Sequence, residues 1–257
     1  MCEANNHQKN NKKLWIKLSI TFNIIFTLIA IYSIIFLIKN DYYSTLLQKV
    51  FGINNQKNFT RNPVYKNSLA VYPVYQEQKN IVMLGNSLTS YANWSELLNR
   101  NDVANRGISG DVTQGFLSRI NYVFNLQPKI CFIEGGVNDI NNNIPQSTII
   151  NHLRKIVDTL NQKNIEPVLT TVTLLAQHFS YSEVAHQNKK IKELNKSIVS
   201  LTQEKNINLI DLNKYVTDND FLLKEFAAED GIHFSAKTYL IWKNEVEKIL
   251  KNEGLLK

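Results

Sequence analysis

Residues 81–90 read IVMLGNSLTS. Four apolar residues, Ile81 to Leu84, run straight into Gly85, Asn86 and Ser87. A short unbroken apolar run fits a strand buried on both faces, as in a parallel sheet covered by helices. Such a strand either ends in a simple turn or displays a serine at its carboxyl end. The rest of the chain has to decide between the two.

From residue 79 onward, strand-like and helical patterns alternate. VANRG (103–107) is a second short strand, KICFIEGG (129–136) a third, EPVLTTVTLL (166–175) a β-branched fourth and INLIDL (207–212) a fifth. Between them, SELLNRN (95–101) reads as helix. In 111–126, Val112, Phe116, Ile120 and Val123 recur near helical spacing. Residues 144–164 form an amphipathic helix with Ile149, Leu153, Ile156, Val157 and Leu160 on one stripe. A long helix follows over 182–206, and the helix 235–252 closes the chain, with Ser235 as its N-cap. Five such alternations predict a three-layer α/β/α sandwich around a five-stranded parallel sheet. Right-handed crossovers leave few topologies, and the flavodoxin-like order 2-1-3-4-5 is expected. Ligands of such sheets bind outside the carboxyl ends of the strands.

The chain has 257 residues, 44% of them hydrophobic, which fits one substantial domain with a real core plus an appendage. Its net charge of +7 raises the question of nucleic acid. The positive residues are spread thinly, however, and are not interleaved with aromatics in any recurring pattern. Nucleic-acid binding is therefore not expected. The two cysteines, Cys2 and Cys131, form neither a disulfide framework nor a zinc-type cluster.

Residues 18–38, LSITFNIIFTLIAIYSIIFLI, carry no charge. Roughly 20 such residues cross the hydrocarbon core of a bilayer. Lys9, Lys12, Lys13 and Lys17 precede the run, and this excess of positive charge predicts that the amino side stays in the cytoplasm. A cleaved signal peptide is the alternative, but its apolar region would be about 7–15 residues long and end on small residues. Here the run ends IIFLIKNDYY. The expected organisation is a short cytoplasmic tail (1–17), a single-pass signal anchor (18–38), a stalk with a lead-in helix (39–78) and an extracytoplasmic domain (79–257).

Four polar segments fall at the predicted strand ends. The first is Gly85-Asn86-Ser87; the second is RGISGD, 106–111; the third is GGVND, 135–139; and the fourth, after strand five, is EDGIHF, 229–234. Together they supply what acyl transfer by serine requires. A hydroxyl is a poor nucleophile until a base takes its proton, histidine does so near neutral pH, and a carboxylate orients the ring. The set is Ser87, His233 and Asp230. Candidate donors to the developing oxyanion are the backbone N–H groups of Ser87 and Gly110 and the side-chain amide of Asn138. Each segment also has an ordinary structural reading. A Gly-x-Ser after a strand is a turn, Asp111 caps a helix starting at Val112, GGVND terminates a strand, and D-x-x-H is a cap or two metal ligands. No further cluster completes a metal site: His152 and His186 fall within helix patterns and read as surface residues, and His178 follows strand four, where it could line the cleft.

These residues resemble the SGNH hydrolases, the GDSL family of esterases and lipases. GNSLT matches the first block and NRGISGD the second; GVND matches the third and DGIH the fourth, in order, over roughly residues 79–250. Asn86 departs from the Asp that many members carry. GNSLTSYANWSELL followed by VANRGISGD looks most like the branch of platelet-activating-factor acetylhydrolase-like and carbohydrate O-acetylesterase-like members. The resemblance implies a nucleophile at Ser87 with Asp230 and His233, an oxyanion hole at Gly110 and Asn138, and hydrolysis of small acyl esters without metal or cofactor. The expected substrate is a small ester or acylated glycan. Lipid substrates, acyl transfer to sugar and an inactive binding module are the alternatives. Asn86, Tyr91, Trp94, Asp111, His178 and Ile232 are candidates for the pocket walls.

Overall fold

The structure is a computed structural model that describes residues 2–39, 59–177, 181–218 and 220–256, with side chains from residue 15 to 36 in the first of these. It divides into two units, residues 1–55 and 56–257.

The first unit contains one helix, α1 (Cys2–Lys39). Its stretch Trp15–Phe36 has 22 residues and a mean hydropathy of 2.2. That is about 33 Å of helix, enough to cross a bilayer core of about 30 Å. Apolar side chains face outward all round it, from Trp15 and Phe22 to Phe26 and Tyr32. The hydroxyls of Thr21 and Thr27 donate to the carbonyls of Lys17 and Asn23 one turn back, so these polar groups are satisfied within the helix.

The second unit opens with a 3₁₀ turn, Phe59–Arg61, and the helix α2 (Pro63–Val71). Then come β1 (Ile81–Gly85), α3 (Ser87–Ser90), α4 (Trp94–Leu97) and β2 (Val103–Gly107). Next are α5 (Thr113–Ser118), α6 (Asn121–Phe124), β3 (Ile130–Glu134) and α7 (Val137–Asn141). They are followed by α8 (Gln146–Gln162), β4 (Glu166–Thr170), α9 (Tyr181–Lys205) and β5 (Asn208–Ile210). The chain ends with α10 (Asn213–Val216), β6 (Thr217–Asp218), β7 (Phe221–Leu222) and α11 (Ala236–Asn252).

The main sheet has the order β2-β1-β3-β4-β5 with every pair parallel, the order expected from the sequence. Gly85 stands opposite both Gly107 and Glu134, and Glu134 opposite Thr170, so four strands end in register at one rim. Side chains alternate between the two faces of each strand. Val82, Leu84, Ile133 and Leu169 pack on one face with Ile149, Leu153 and Ile156 of α8 and Ile191, Leu194 and Ile198 of α9. Ile81, Met83, Phe132 and Val168 pack on the other with Trp94, Trp242, Val246 and Leu250. Near-continuous apolar strands are what a sheet covered on both sides requires.

Three local features differ from the sequence reading. The run 111–126 is two short helices, because Arg119 leaves helical geometry (φ −116°, ψ 14°) and turns its side chain inward. The β6–β7 hairpin was not anticipated; two residues per strand are too few to show a period of two. Ser235 does stand at the N-cap of α11, but its hydroxyl donates to the carbonyl of Glu225 instead of accepting from the helix.

Gly107 ends β2 against the helix that begins with Ser87. A Cβ on Gly107 would lie 2.3 Å from the Ser90 nitrogen and 2.7 Å from its Cα. These are backbone atoms and cannot swing aside. Gly107→Ala should therefore cost about 1–3 kcal/mol, the usual range for overpacking, read as a lower urea midpoint at unchanged slope. A midpoint equal to wild type would show that β2 and α3 can separate freely.

Candidate active site

The polar residues at the rim are held by bonds local to each loop. Asn86 is wholly buried and its Oδ1 accepts from the N–H of Leu88 at 2.8 Å, capping α3 one residue before Ser87. The serine thus stands at a helix N-terminus at the end of a buried strand. At the far end of the sequence, Gly231 adopts φ +70°, a conformation that favours glycine, in the turn between Asp230 and His233. One oxygen of Asp230 accepts from the N–H groups of Ile232 and His233, each at 2.9 Å. Its other oxygen pairs with Nδ1 of the His233 ring. Burial alone would raise the Asp230 carboxyl, but these bonds outweigh it and hold the group down at about 2.

The ring of His233 reaches across 146 residues of sequence, and its Nε2 lies 2.9 Å from Ser87 Oγ. An ionised carboxylate can only accept, so the ring proton sits on Nδ1 and Nε2 is left to accept from the serine hydroxyl. Tyr91 stacks on the same ring at 4.8 Å and is 59% exposed, so its outer face is open to whatever occupies the cleft.

The second and third segments meet at the same rim. Gly110 has φ +76°. Asn138, in α7, donates from its amide to the carbonyl of Asp111 at 2.9 Å. That bond uses one of the two amide hydrogens, and the amide has a second to donate. Beneath them, Arg119 is fully buried. Its Nε donates to Asp111 at 2.8 Å, Nη1 to the carbonyl of Arg106 at 2.7 Å and Nη2 to the carbonyl of Gly85 at 3.1 Å. Asp139 accepts from both the backbone N–H and the hydroxyl of Thr113, and the same hydroxyl lies 3.0 Å from Nδ1 of His152. Burial raises the Asp139 carboxyl to about 6, with the Thr113 bonds opposing. His152 is therefore buried and hydrogen-bonded, not a surface residue. His186 is exposed, as expected.

The other expected wall residues fall differently. Ile232 and Tyr91 lie beside the His233–Asp230 pair. Trp94 is a core residue: 1% exposed, it packs edge-on against Trp242 at 4.8 Å and donates to the carbonyl of Thr89. Asp111 is buried in its ion pair with Arg119. His178 lies outside the described residues. The sequence reading did not single out Arg119, Glu134, Thr113 or Asn62. Arg119 gives no signal in the helical pattern, where a charged residue ordinarily faces solvent. A hollow of about 720 Å³ among Ser95, Arg100, Asp102, Lys243 and Glu247 lies at the amino-terminal end of β2, the opposite rim from Ser87.

A parallel α/β/α sandwich with a serine at its carboxyl rim, in contact with a histidine–aspartate pair, fits the class of ester-cleaving acyl hydrolases. This chain belongs to the GDSL-like lipase/acylhydrolase family, whose model matches residues 78–241. Over 169 residues it is 23% identical to platelet-activating factor acetylhydrolase IB subunit alpha2 of Rattus norvegicus, covering 63% of this chain and 72% of that one. The same subunit of Homo sapiens matches to the same extent. Among solved structures it is similar to a GDSL-like lipase from Bacteroides thetaiotaomicron, with a TM-score of 0.63, 22% identity, and coverage of 74% of this chain and 98% of that one. A lipase/acylhydrolase from Enterococcus faecalis has a TM-score of 0.59 at 25% identity, covering 68% and 97%.

One buried acid next to the serine has a measurable consequence. Glu134 ends β3 opposite Gly85, is 2% exposed, and among the described residues neither carboxyl oxygen has a hydrogen bond of good geometry. Burial pushes it from 4.5 up to about 8, and the nearby Asn86 amide only partly offsets this. Between these two values the folded chain keeps a proton that the unfolded chain has lost. Stability contributed by this group therefore falls as pH rises from 4.5 to about 8, and is level above that. Glu134→Gln should be more stable than wild type at pH 9, with the gap closing toward pH 5, as read from melting temperatures. A gap constant across that range would mean that Glu134 ionises as an exposed carboxyl does.

Proposed function

We propose that this protein is a membrane-attached serine esterase that removes short acyl groups, acetyl foremost, from glycan hydroxyls outside the cytoplasm. The observation that carries the reading is the 2.9 Å approach of His233 Nε2 to Ser87 Oγ with Asp230 on the opposite ring nitrogen. As Ser87 Oγ attacks the ester carbonyl, its proton passes to His233 Nε2. Asp230 stabilises the imidazolium that results. The N–H groups of Ser87 and Gly110 and the amide of Asn138 receive the oxyanion. Collapse of the tetrahedral species expels the alcohol, which takes the proton back from His233. Water then attacks the acyl-enzyme by the same route, with His233 as base.

The acetyl group is supported by the acetylhydrolase relatives. The glycan is supported by the location inferred for the domain. The apolar stretch of α1 fits a single span over 18–38, and the lysines before it orient residues 1–17 toward the cytoplasm. Residues 39–78 then serve as stalk and lead-in to the domain 79–257. That same span favours a second reading, in which the ester belongs to a lipid held close to the bilayer.

With the full chain in detergent micelles, Ser87→Ala should abolish release of acetate from p-nitrophenyl acetate and from acetylated sugars. Asn138→Ala should lower kcat by about 10²–10³ while KM changes little, since an oxyanion donor acts mainly in the transition state. Turnover of acetylated sugars that survives Ser87→Ala would sink the mechanism. Turnover of lysophospholipids well above that of sugars would move the substrate to the lipid reading.

A further inference from the structure

Residues 59–74 precede the segment that matches the family, yet they pack on the loop that carries Gly110. Ile108 is fully buried against Tyr65 and Tyr72, and Phe59 meets Tyr65 edge-on at 5.2 Å. Asn62 stands between this cluster and the loop. Its Oδ1 accepts from the N–H of Val64 at 2.9 Å and so caps α2. Its Nδ2 donates to the carbonyl of Ser109 at 2.7 Å, 47 residues further on. The same Nδ2 stands 3.1 Å from where a Cβ on Gly110 would be.

The carbonyl of Ser109 and the N–H of Gly110 belong to one peptide unit. It is planar and trans, so its C=O and N–H point in opposite directions. Whatever holds the carbonyl aims the N–H. A donor on the carbonyl also polarises the unit and strengthens the N–H as a donor. The other bonds to this loop act at its flanks. Ile108 N–H donates to Gly85, the Asp111 N–H closes a turn onto Ile108, and Arg119 and Asn138 both hold Asp111. Among the described residues, Asn62 is the donor to the Ser109 carbonyl.

We propose that Asn62 is a positioning residue for the oxyanion hole: its amide holds the Ser109–Gly110 peptide so that the Gly110 N–H faces the ester oxygen. This rests on the reading of Gly110 as an oxyanion donor. The lead-in segment then does more than link the domain to what precedes it. It supplies one wall of the catalytic machinery, from outside the region that defines the family.

Three variants of the full chain in detergent, assayed with p-nitrophenyl acetate, separate this role from capping. Asn62→Asp keeps an acceptor for Val64 but has no donor for Ser109. Asn62→Ser also caps but is too short to reach. Asn62→Ala loses both bonds. The Asp and Ser variants should melt less far below wild type than the Ala variant, which also loses the cap, yet all three should keep KM and lose about tenfold in kcat, less than removal of a direct oxyanion donor. Wild-type kcat in either would overturn the proposal and leave Asn62 as a cap. So would a loss of kcat that tracks melting temperature across all three. Ser87→Ala in the same assay keeps the two questions apart. If that variant stays active, the serine mechanism fails; if it is dead while Asn62→Asp is normal, only the role of Asn62 fails.

Discussion

The guanidinium of Arg119 is the point on which the rim is built. It is fully buried, and it reaches the carbonyl of Gly85 at the end of β1, the carbonyl of Arg106 near the end of β2, and the carboxylate of Asp111 just past Gly110. One rigid planar fork therefore sets the distance between the strand that presents Ser87 and the loop that presents Gly110. Burying an ion pair contributes little net stability, because desolvation offsets most of the attraction. Burial works against the charge on Asp111, and Arg119 opposes that. The gain is geometric: three acceptors from three segments are fixed to one side chain. The sequence makes room for it. A Cβ on Gly115 would lie 1.8 Å from Asp111 Oδ1, so only glycine there lets the pair form.

Acids are concentrated under this rim. Asp111 pairs with Arg119, Asp139 accepts from Thr113, whose hydroxyl also meets His152, and among the described residues neither oxygen of Glu134 has a hydrogen-bond partner of good geometry. Asn86 gains its meaning here. In this chain it adjoins Glu134, and two carboxyls in one buried site cannot both ionise. An amide at 86 keeps the cap on Leu88 and leaves Glu134 as the one carboxyl of this adjoining pair. The Asn86 amide also works against the effect of burial on the Glu134 carboxyl, though burial prevails.

The histidine loop is organised in the opposite way. Asp230 is largely exposed, and its low pKa comes from hydrogen bonds made within four residues. The loop needs little from the core, beyond the N–H that Ala176 donates to Gly231 and the aromatic packing of Phe234 on Trp242. Tyr91 closes over the ring from the helix that follows the serine. Ser87 and His233 thus belong to two local structures, and the fold brings them together.

Much of this was legible in the chain itself. Apolar runs of strand length and helical stripes between them were enough for the sheet order, and polar residues at the strand ends were enough to single out Ser87, Asp230 and His233, which the fold brings into contact. These signals are local: periodicity, turn chemistry and spacing lie within a few residues of one another. What only the tertiary structure decided depends on groups far apart in sequence. Arg119 and His152 look like surface residues of helices until their partners are known. Trp94, beside the serine in sequence, turns into the core. Asn62 has the pattern of a helix cap and nothing more until Ser109 is folded against it. A side chain's pattern records its neighbours along the chain, whereas the direction of a buried charge or amide depends on which distant carbonyl the fold leaves in need of a donor.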